Sequence, residues 1–227
     1  DGVPITVLSH DPALGVVGGD ANTLSPRHGY WFAEIITDKN RKKGKGKGNA
    51  VSNEELAADT ISTMRDGCQI VIDMGGGYGA GVYSHLKTNV PGLKLIAHDG
   101  AAGTKKRDRS GKLKMANMRA AVHWALREAL EPGLGVPLQL PPDDELLADL
   151  AAPTYVLGKR GIQVEEKTQI KKRIGRSPDK GDAVLNANFY GEQGASVQMR
   201  KAMVAQNMSR GGGVQVNLGH SRGKRNR

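Results

Sequence analysis

Apolar residues in this chain come in short runs with two distinct periods, and the alternation between them outlines a mixed α/β domain. Ile5 to His10 is β-branched and apolar enough for a strand, and it delivers Asp11 just before Pro12, which ends ladder pairing. Gly15, Gly18, Gly19 and Asp20 form a turn-rich segment, and Gly29 to Thr37 reads as a partly buried strand, so the chain is expected to open with two or three antiparallel strands. Ser52-Asn-Glu-Glu55 has capping-box spacing, and Leu56, Thr60, Ile61 and Met64 follow at helical intervals up to Asp66-Gly67. Gln69 to Asp73 is almost wholly apolar, as a buried central strand would be, with Asp73 at its carboxyl end. A helix over Gly79 to Leu86, a strand over Leu93 to Ala97 and an amphipathic helix over Met115 to Leu130 follow. Pro141-Pro-Asp-Asp-Glu145 caps a short helix through Leu150, and Thr154 to Leu157 can pair with Gly161 to Glu165 around Lys159-Arg160. A basic helix, a turn at Ser177-Pro178 and a new helix opening at Asp179 or Asp182 complete the pattern. The folded domain is expected over residues 1–190. Residues 191–227 read as a polar, glycine-rich basic tail.

Composition narrows the partners. The 227 residues carry a formal net charge of +10, concentrated in blocks that include Lys42, Lys43, Lys45, Lys105, Lys106, Arg107, Arg173 and Arg176. Such a field suits a polyanion, with phosphate contacts supplying non-specific affinity, so double-stranded DNA is the first partner expected; a solvated basic surface is the alternative. Lys39 to Gly48 reads as a mobile basic loop. The single cysteine, Cys68, excludes an internal disulfide and fits a reducing cytosol. No apolar run reaches the roughly 18 residues of a membrane span, so no membrane partner is expected. The opening Asp1-Gly-Val-Pro4 reads as the approach to a strand, as in a domain cut from a longer protein.

Two cofactor classes fall away. Lys43 to Gly48 contains Gly-Lys pairs without the spacing of a phosphate-cradling ATPase loop. Gly75, Gly77 and Ala80 match a loose dinucleotide fingerprint, but a tight strand-to-helix turn explains those glycines without a cofactor. The carboxylates remain. Asp11 and Asp73 at strand ends, and Asp182 with Asp179 at a late helix start, would converge at one sheet edge in a mixed sheet flanked by helices. Three or four carboxylates there repel one another unless divalent cations neutralise them, and two Mg2+ or Mn2+ ions about 4 Å apart would support phosphodiester hydrolysis. Locally, the plainer alternative is that Asp179 is an N-cap and Asp182 a favourable first-turn charge.

Several segments together resemble a known family. These are His10-Asp-Pro-Ala13, Gly18-Gly-Asp20, Tyr30 to Glu34, Val71-Ile-Asp73 with Gly79 to Tyr83, Leu146 to Leu150, Gly161 to Lys167, and Arg173-Ile-Gly-Arg-Ser-Pro-Asp-Lys-Gly-Asp-Ala183. In order and over about Ile5 to Ala187, they resemble the nuclease domain of the large terminase subunit of tailed bacteriophages. The resemblance implies a ribonuclease H-like fold and a metal-dependent endonuclease that cuts concatemeric viral DNA at the start and end of head filling. It would make Asp11, Asp73 and Asp182 metal ligands, with Asp179 an accessory carboxylate. Asp20 would occupy the matching Gly-x-Asp turn, and Lys167 would orient a carboxylate, touch DNA or serve as a plain surface lysine. The chain departs from the pattern after Asp20, where Ala-Asn-Thr23 lacks a basic residue, and it carries no ATPase domain. An excised nuclease half, or a separately encoded or remnant prophage protein in the host cytoplasm, is then expected. Its partners would be the portal, the small terminase subunit and a separate ATPase domain. A resolvase or RNA-cutting enzyme of the same fold, and a non-catalytic DNA-binding module, are the competing readings.

Overall fold

The computed structural model describes residues 3–13, 20–38, 51–133 and 138–191. The chain falls into two units, Asp1–Ala195 and Ser196–Arg227. The second unit, with nearly all of the expected tail, lies outside the described residues, as do the basic loop Lys39 to Gly48 and with it Lys42, Lys43 and Lys45.

A six-stranded mixed sheet organises the first unit. Strand β1 (Val7–Asp11) lies between antiparallel β2 (Thr23–His28) and parallel β5 (Gln69–Asp73), and β5 pairs in parallel with β6 (Lys94–His98). Two short strands, β3 (Trp31–Phe32) and β4 (Ile36–Thr37), both pair with β2. Helices α1 (Asn53–Thr63) and α2 (Tyr78–Asn89) precede and follow β5. The rest comprises α3 (Met118–Ala129), α4 (Asp144–Ala151), the hairpin β7 (Tyr155–Gly158) and β8 (Gly161–Val164), α5 (Lys167–Ile174) and a final helix α6 over 179–191.

The period of two along the central strands divides the core. Leu8, Ile70 and Ile72 enter one apolar cluster with Leu56, Val82 and Leu86 of α1 and α2. Val7 and Val71 point the other way, into a cluster with α3, Leu146, Ile162, and Val184, Leu185 and Ala187 of α6. Each fully buried Leu or Ile contributes about 1.5–3 kcal/mol, so a one-residue slip of β1 or β5 would invert both faces and lose most of it.

The glycine-rich stretch after β5 is the tight turn expected of it. Gly76 and Gly77 have φ of 66° and 85°, and a Cβ on Gly79 would lie 1.8 Å from the Asp73 carbonyl oxygen. The first turn of α2 therefore abuts the end of β5, and no larger residue fits there.

Two expectations about the first strands need correction. Thr23–His28, between the turn-rich segment and Gly29, is itself a strand although Pro26 interrupts its strand signal. Arg27 is fully buried: it donates to Gly29 O at 2.7 Å, Ala187 O at 3.3 Å and Asn188 O at 2.6 Å, and stacks over Phe32 at 5.4 Å. A buried guanidinium needs its N–H donors satisfied, and these carbonyls of Gly29 and α6 receive them. Gly29 to Thr37, read as one strand, breaks into β3 and β4. Likewise α3 begins at Met118 rather than Met115, because Asn117 caps it by accepting from Ala120 N, leaving Met115 to bridge Ile162 of the hairpin.

Candidate active site

Asp11 and Asp73 end adjacent parallel strands, so the topology alone brings them to the same carboxyl edge. The register pairs Asp73 with His98, placing that histidine level with them at the end of β6. From the opposite side α6 presents Asp179, Asp182 and Asn186, whose spacing of three and four puts them on one face. Its start is fixed by Ser177-Pro178, since proline suits the opening of a helix and Asp182 N bonds back to Pro178 O at 2.9 Å.

A cavity of about 370 Å³ opens at this edge, lined by Asp11, Asp20, Asp73, His98, Arg119, His123, Lys167, Asp182 and Asn186, with Gly75, Tyr78 and Asp99 among its other walls. Lys167, at the start of α5, aims its ammonium into the carboxylates: 2.9 Å from Asp182 Oδ2, 3.5 Å from Asp11 Oδ2 and 3.6 Å from Asp179 Oδ1. Arg119 Nη1 reaches Asp182 Oδ1 at 3.5 Å. Asp73 is held by Gly75 N at 2.8 Å and Asn186 Nδ2 at 3.1 Å. Asp179 sits behind Lys167, outside the cavity lining, and its Oδ2 accepts from Ala21 N at 2.7 Å. Asp20 pairs with Lys171 of α5.

The electrostatics divide the carboxylates. Burial raises Asp11 well above the usual carboxylate range; Lys167 opposes that shift, and Asp73, Asp182 and Asp179 add to it. Burial acts on Asp182 in the same sense, yet Lys167 and Arg119 outweigh it and hold Asp182 below its ordinary value. Burial also opposes the charge on Lys167, but the carboxylates of Asp182, Asp11 and Asp179 prevail and push its pKa up. His123 is lowered to about 4, by burial first and then by Arg119, so it is neutral at pH 7. His98 is lowered by burial and meets the Tyr190 hydroxyl at 3.1 Å.

Among the described residues, no group of three or more His, Cys, Asp or Glu side chains stands in metal-holding geometry; the cation at the centre is the Lys167 ammonium. The donor chemistry nonetheless fits a hard divalent ion. Asp11 Oδ2 and Asp179 Oδ1 are buried oxygens without a hydrogen-bond partner, and Asp11, Asp73 and Asp182 offer oxygen donors within one cavity.

The expected DNA contacts divide. Lys105, Lys106 and Arg107 are exposed on the loop leaving β6, with Lys106 over Phe189 at 5.3 Å and Arg107 bonded to Gly111 O at 3.2 Å. Arg173 and Arg176 are engaged within the fold. Arg173 pairs with Glu165 at 2.6 Å and Ala152 O at 2.5 Å, while Arg176 pairs with Asp149 and with Glu145 at 3.4 Å.

Sequence reasoning missed His98, Arg119, His123 and Asn186 as site residues. Two signals were available: pairing Leu93–Ala97 beside Gln69–Asp73 sets His98 level with Asp73, and Asn186 lies one helical turn beyond Asp182.

No protein-family model matches the sequence, and no curated protein matches it. Solved structures do. The nuclease domain of the large terminase subunit gp2 of bacterial virus Sf6 superposes with a TM-score of 0.60 at 20% identity, covering 83% of this chain and 89% of that one. A point mutant of that domain solved with manganese and beta-thujaplicinol gives the same values, and a mutant solved with calcium gives a TM-score of 0.58 at 21% identity. The chain therefore shares the ribonuclease H-like fold of these nuclease domains.

Proposed function

We propose that this chain is a divalent-metal-dependent DNA endonuclease of the terminase type, cutting concatemeric viral DNA during genome packaging. The observation that carries the reading is the convergence of Asp11, Asp73 and Asp182, from two parallel strand ends and a helix first turn, in one cavity of about 370 Å³. The shared fold with phage terminase nuclease domains supports it, as do the manganese and calcium with which mutants of such a domain were solved.

Asp11, Asp73 and Asp182 would hold Mg2+ or Mn2+, with Asp179 as an accessory carboxylate. When bound, two such ions supply Lewis acidity that activates water and stabilises the leaving oxygen. The chain's own residues provide the rest. Asn186 and Gly75 N fix the direction of Asp73, and Ala21 N fixes Asp179. Lys167 and Arg119 keep Asp182 ionised in a buried setting, ready to act as a ligand. Neutral His123 and His98 line the wall without adding charge. The exposed Lys105, Lys106 and Arg107 bring the phosphate backbone. A portal, a small terminase subunit and a separately supplied ATPase domain in the host cytoplasm would complete the setting.

The test is cleavage of supercoiled plasmid in EDTA, Mg2+ or Mn2+, beside folded Asp73→Ala and Asp182→Ala variants. Metal-dependent cleavage lost in both variants supports the reading. Plasmid that is bound but never cut in either metal would leave a DNA-binding module as the better account.

A further inference from the structure

The β7–β8 hairpin has one covered edge and one open edge. On the β8 side, Ile162 N donates to Lys114 O at 2.8 Å and Ile162 O accepts from Ala116 N at 2.9 Å, so residues 114–116 complete that edge. The register pairs Leu157 with Ile162 and Tyr155 with Val164, while Glu165 N donates to Thr154 O at 2.8 Å. In an antiparallel ladder hydrogen-bonded pairs alternate, so Val156 bonds to β8 whereas the N–H and C=O groups of Tyr155 and Leu157 point away from it. No described residue pairs with that outer side of β7.

The side chains along this edge are as unusual as the backbone. Tyr155, Val156 and Leu157 are 51%, 62% and 66% exposed. Open edges in soluble proteins carry lysine, proline or a bulge that blocks pairing, and β7 has none of these within its four residues. Beside it lies a second cavity of about 300 Å³, lined by Leu126, Leu130, Leu150, Pro153 and Val164 among others. Trp124 meets Tyr155 edge-on at 5.1 Å, which fixes the strand over that cavity. Exposed Lys159 and Arg160 form the hairpin tip, and no carboxylate among the described residues pairs with them.

We propose that the outer edge of β7 is a protein-docking site that accepts an extended apolar peptide as a third, antiparallel strand. The backbone groups of Tyr155 and Leu157 supply the hydrogen bonds, and the adjoining cavity takes alternate side chains. Charge complementarity sets the orientation: the partner carries carboxylates at its N-terminal end, which an antiparallel strand places over Lys159 and Arg160. A partner protein presenting such a segment would be held through this hairpin, leaving the carboxylate cavity open to substrate.

The decisive experiment is amide exchange on the full 227-residue chain, titrated with a short synthetic peptide of alternating Val and Thr bearing two N-terminal Glu. Protection should rise about tenfold or more at Tyr155 and Leu157 and stay unchanged at Val156, whose N–H is already bonded. Leu157→Pro removes only an outward donor, so the hairpin ladder survives and peptide protection disappears; Leu157→Lys tests the same edge with the donor retained and a blocking charge added. Lys159→Glu with Arg160→Glu should shift preference to a peptide with N-terminal Lys. The proposal is overturned if millimolar peptide leaves the two amides unprotected, or if protection persists in folded Leu157→Pro. It is also overturned if duplex DNA protects those amides, or if sedimentation shows a dimer that Leu157→Pro dissolves, which would give the edge to a second copy of the chain.

Discussion

Two groups of buried carboxylates flank α6, and they are treated in opposite ways. Asp149 of α4 is 1% exposed, and both of its oxygens are used: Oδ1 by Arg176, Oδ2 by Gly181 N at 3.1 Å. Around it Lys180 pairs with Asp143 at 2.6 Å and with Glu145 at 3.2 Å. At the other group, Asp11 and Asp179 each keep a buried oxygen without a hydrogen-bond partner, and three carboxylates share the single ammonium of Lys167. The closed group holds α4 against α6. The open one leaves donor capacity unspent, at a cost in stability, and unspent donors at a sheet edge are the mark of a site.

The largest effect should come from the open group. Asp182→Asn and Asp73→Asn should each cut metal-dependent plasmid cleavage by about a thousandfold or more, roughly 4 kcal/mol in the barrier, with thermal midpoints near wild type. A variant that cleaves normally would reassign the site.

The closed group should behave in reverse. Arg176→Ala leaves Asp149 buried and unpaired, which should cost about 3 kcal/mol in denaturant unfolding. Cleavage per folded molecule should be unchanged, and an activity loss at full folding would merge the two groups into one.

Acid should find a third, closed network. His10 is buried between Thr60 Oγ1 at 2.8 Å and Asn22 Oδ1 at 2.5 Å, and burial lowers its pKa to about 4. Its folded value lies below its unfolded one, so the stability it supports is present above about pH 6.5 and is lost as pH falls toward 4. The loss should approach about 3 kcal/mol, and in His10→Gln the unfolding free energy should vary less with pH over that window.

The smallest effect separates a lysine from a metal at the same carboxylates. Without divalent ions, Lys167→Ala leaves Asp11 and Asp179 unneutralised and Asp182 with Arg119 alone. Millimolar Mn2+ should then raise its stability by about 1 kcal/mol more than it raises that of the wild type. Equal gains in the thermal midpoint would show that the ammonium and the ion do not compete.

The sequence disclosed what local pattern controls. The capping box of α1, the apolar run of β5 and the strand-end positions of Asp11 and Asp73 were all legible, because period and punctuation encode them. What escaped depends on tertiary partners. Arg27 looks like a surface cation until carbonyls of α6, some 160 residues away, are seen to surround it. Arg173 and Arg176 read as phosphate contacts because their partners, Glu165, Glu145 and Asp149, lie on other elements. His98, Arg119, His123 and Asn186 gain meaning only by converging on one cavity, which no local window displays.

The order of the parts along the chain has a temporal consequence. Asp11 and Asp73 emerge early in synthesis, but Asp182, Asn186 and the carbonyls that receive Arg27 belong to the last described helix. Contacts of such long sequence separation form late. A nascent chain still lacking α6 would hold two of the three carboxylates, with Asp73 steadied by Gly75 N alone, so cutting power would arise only as the domain closes.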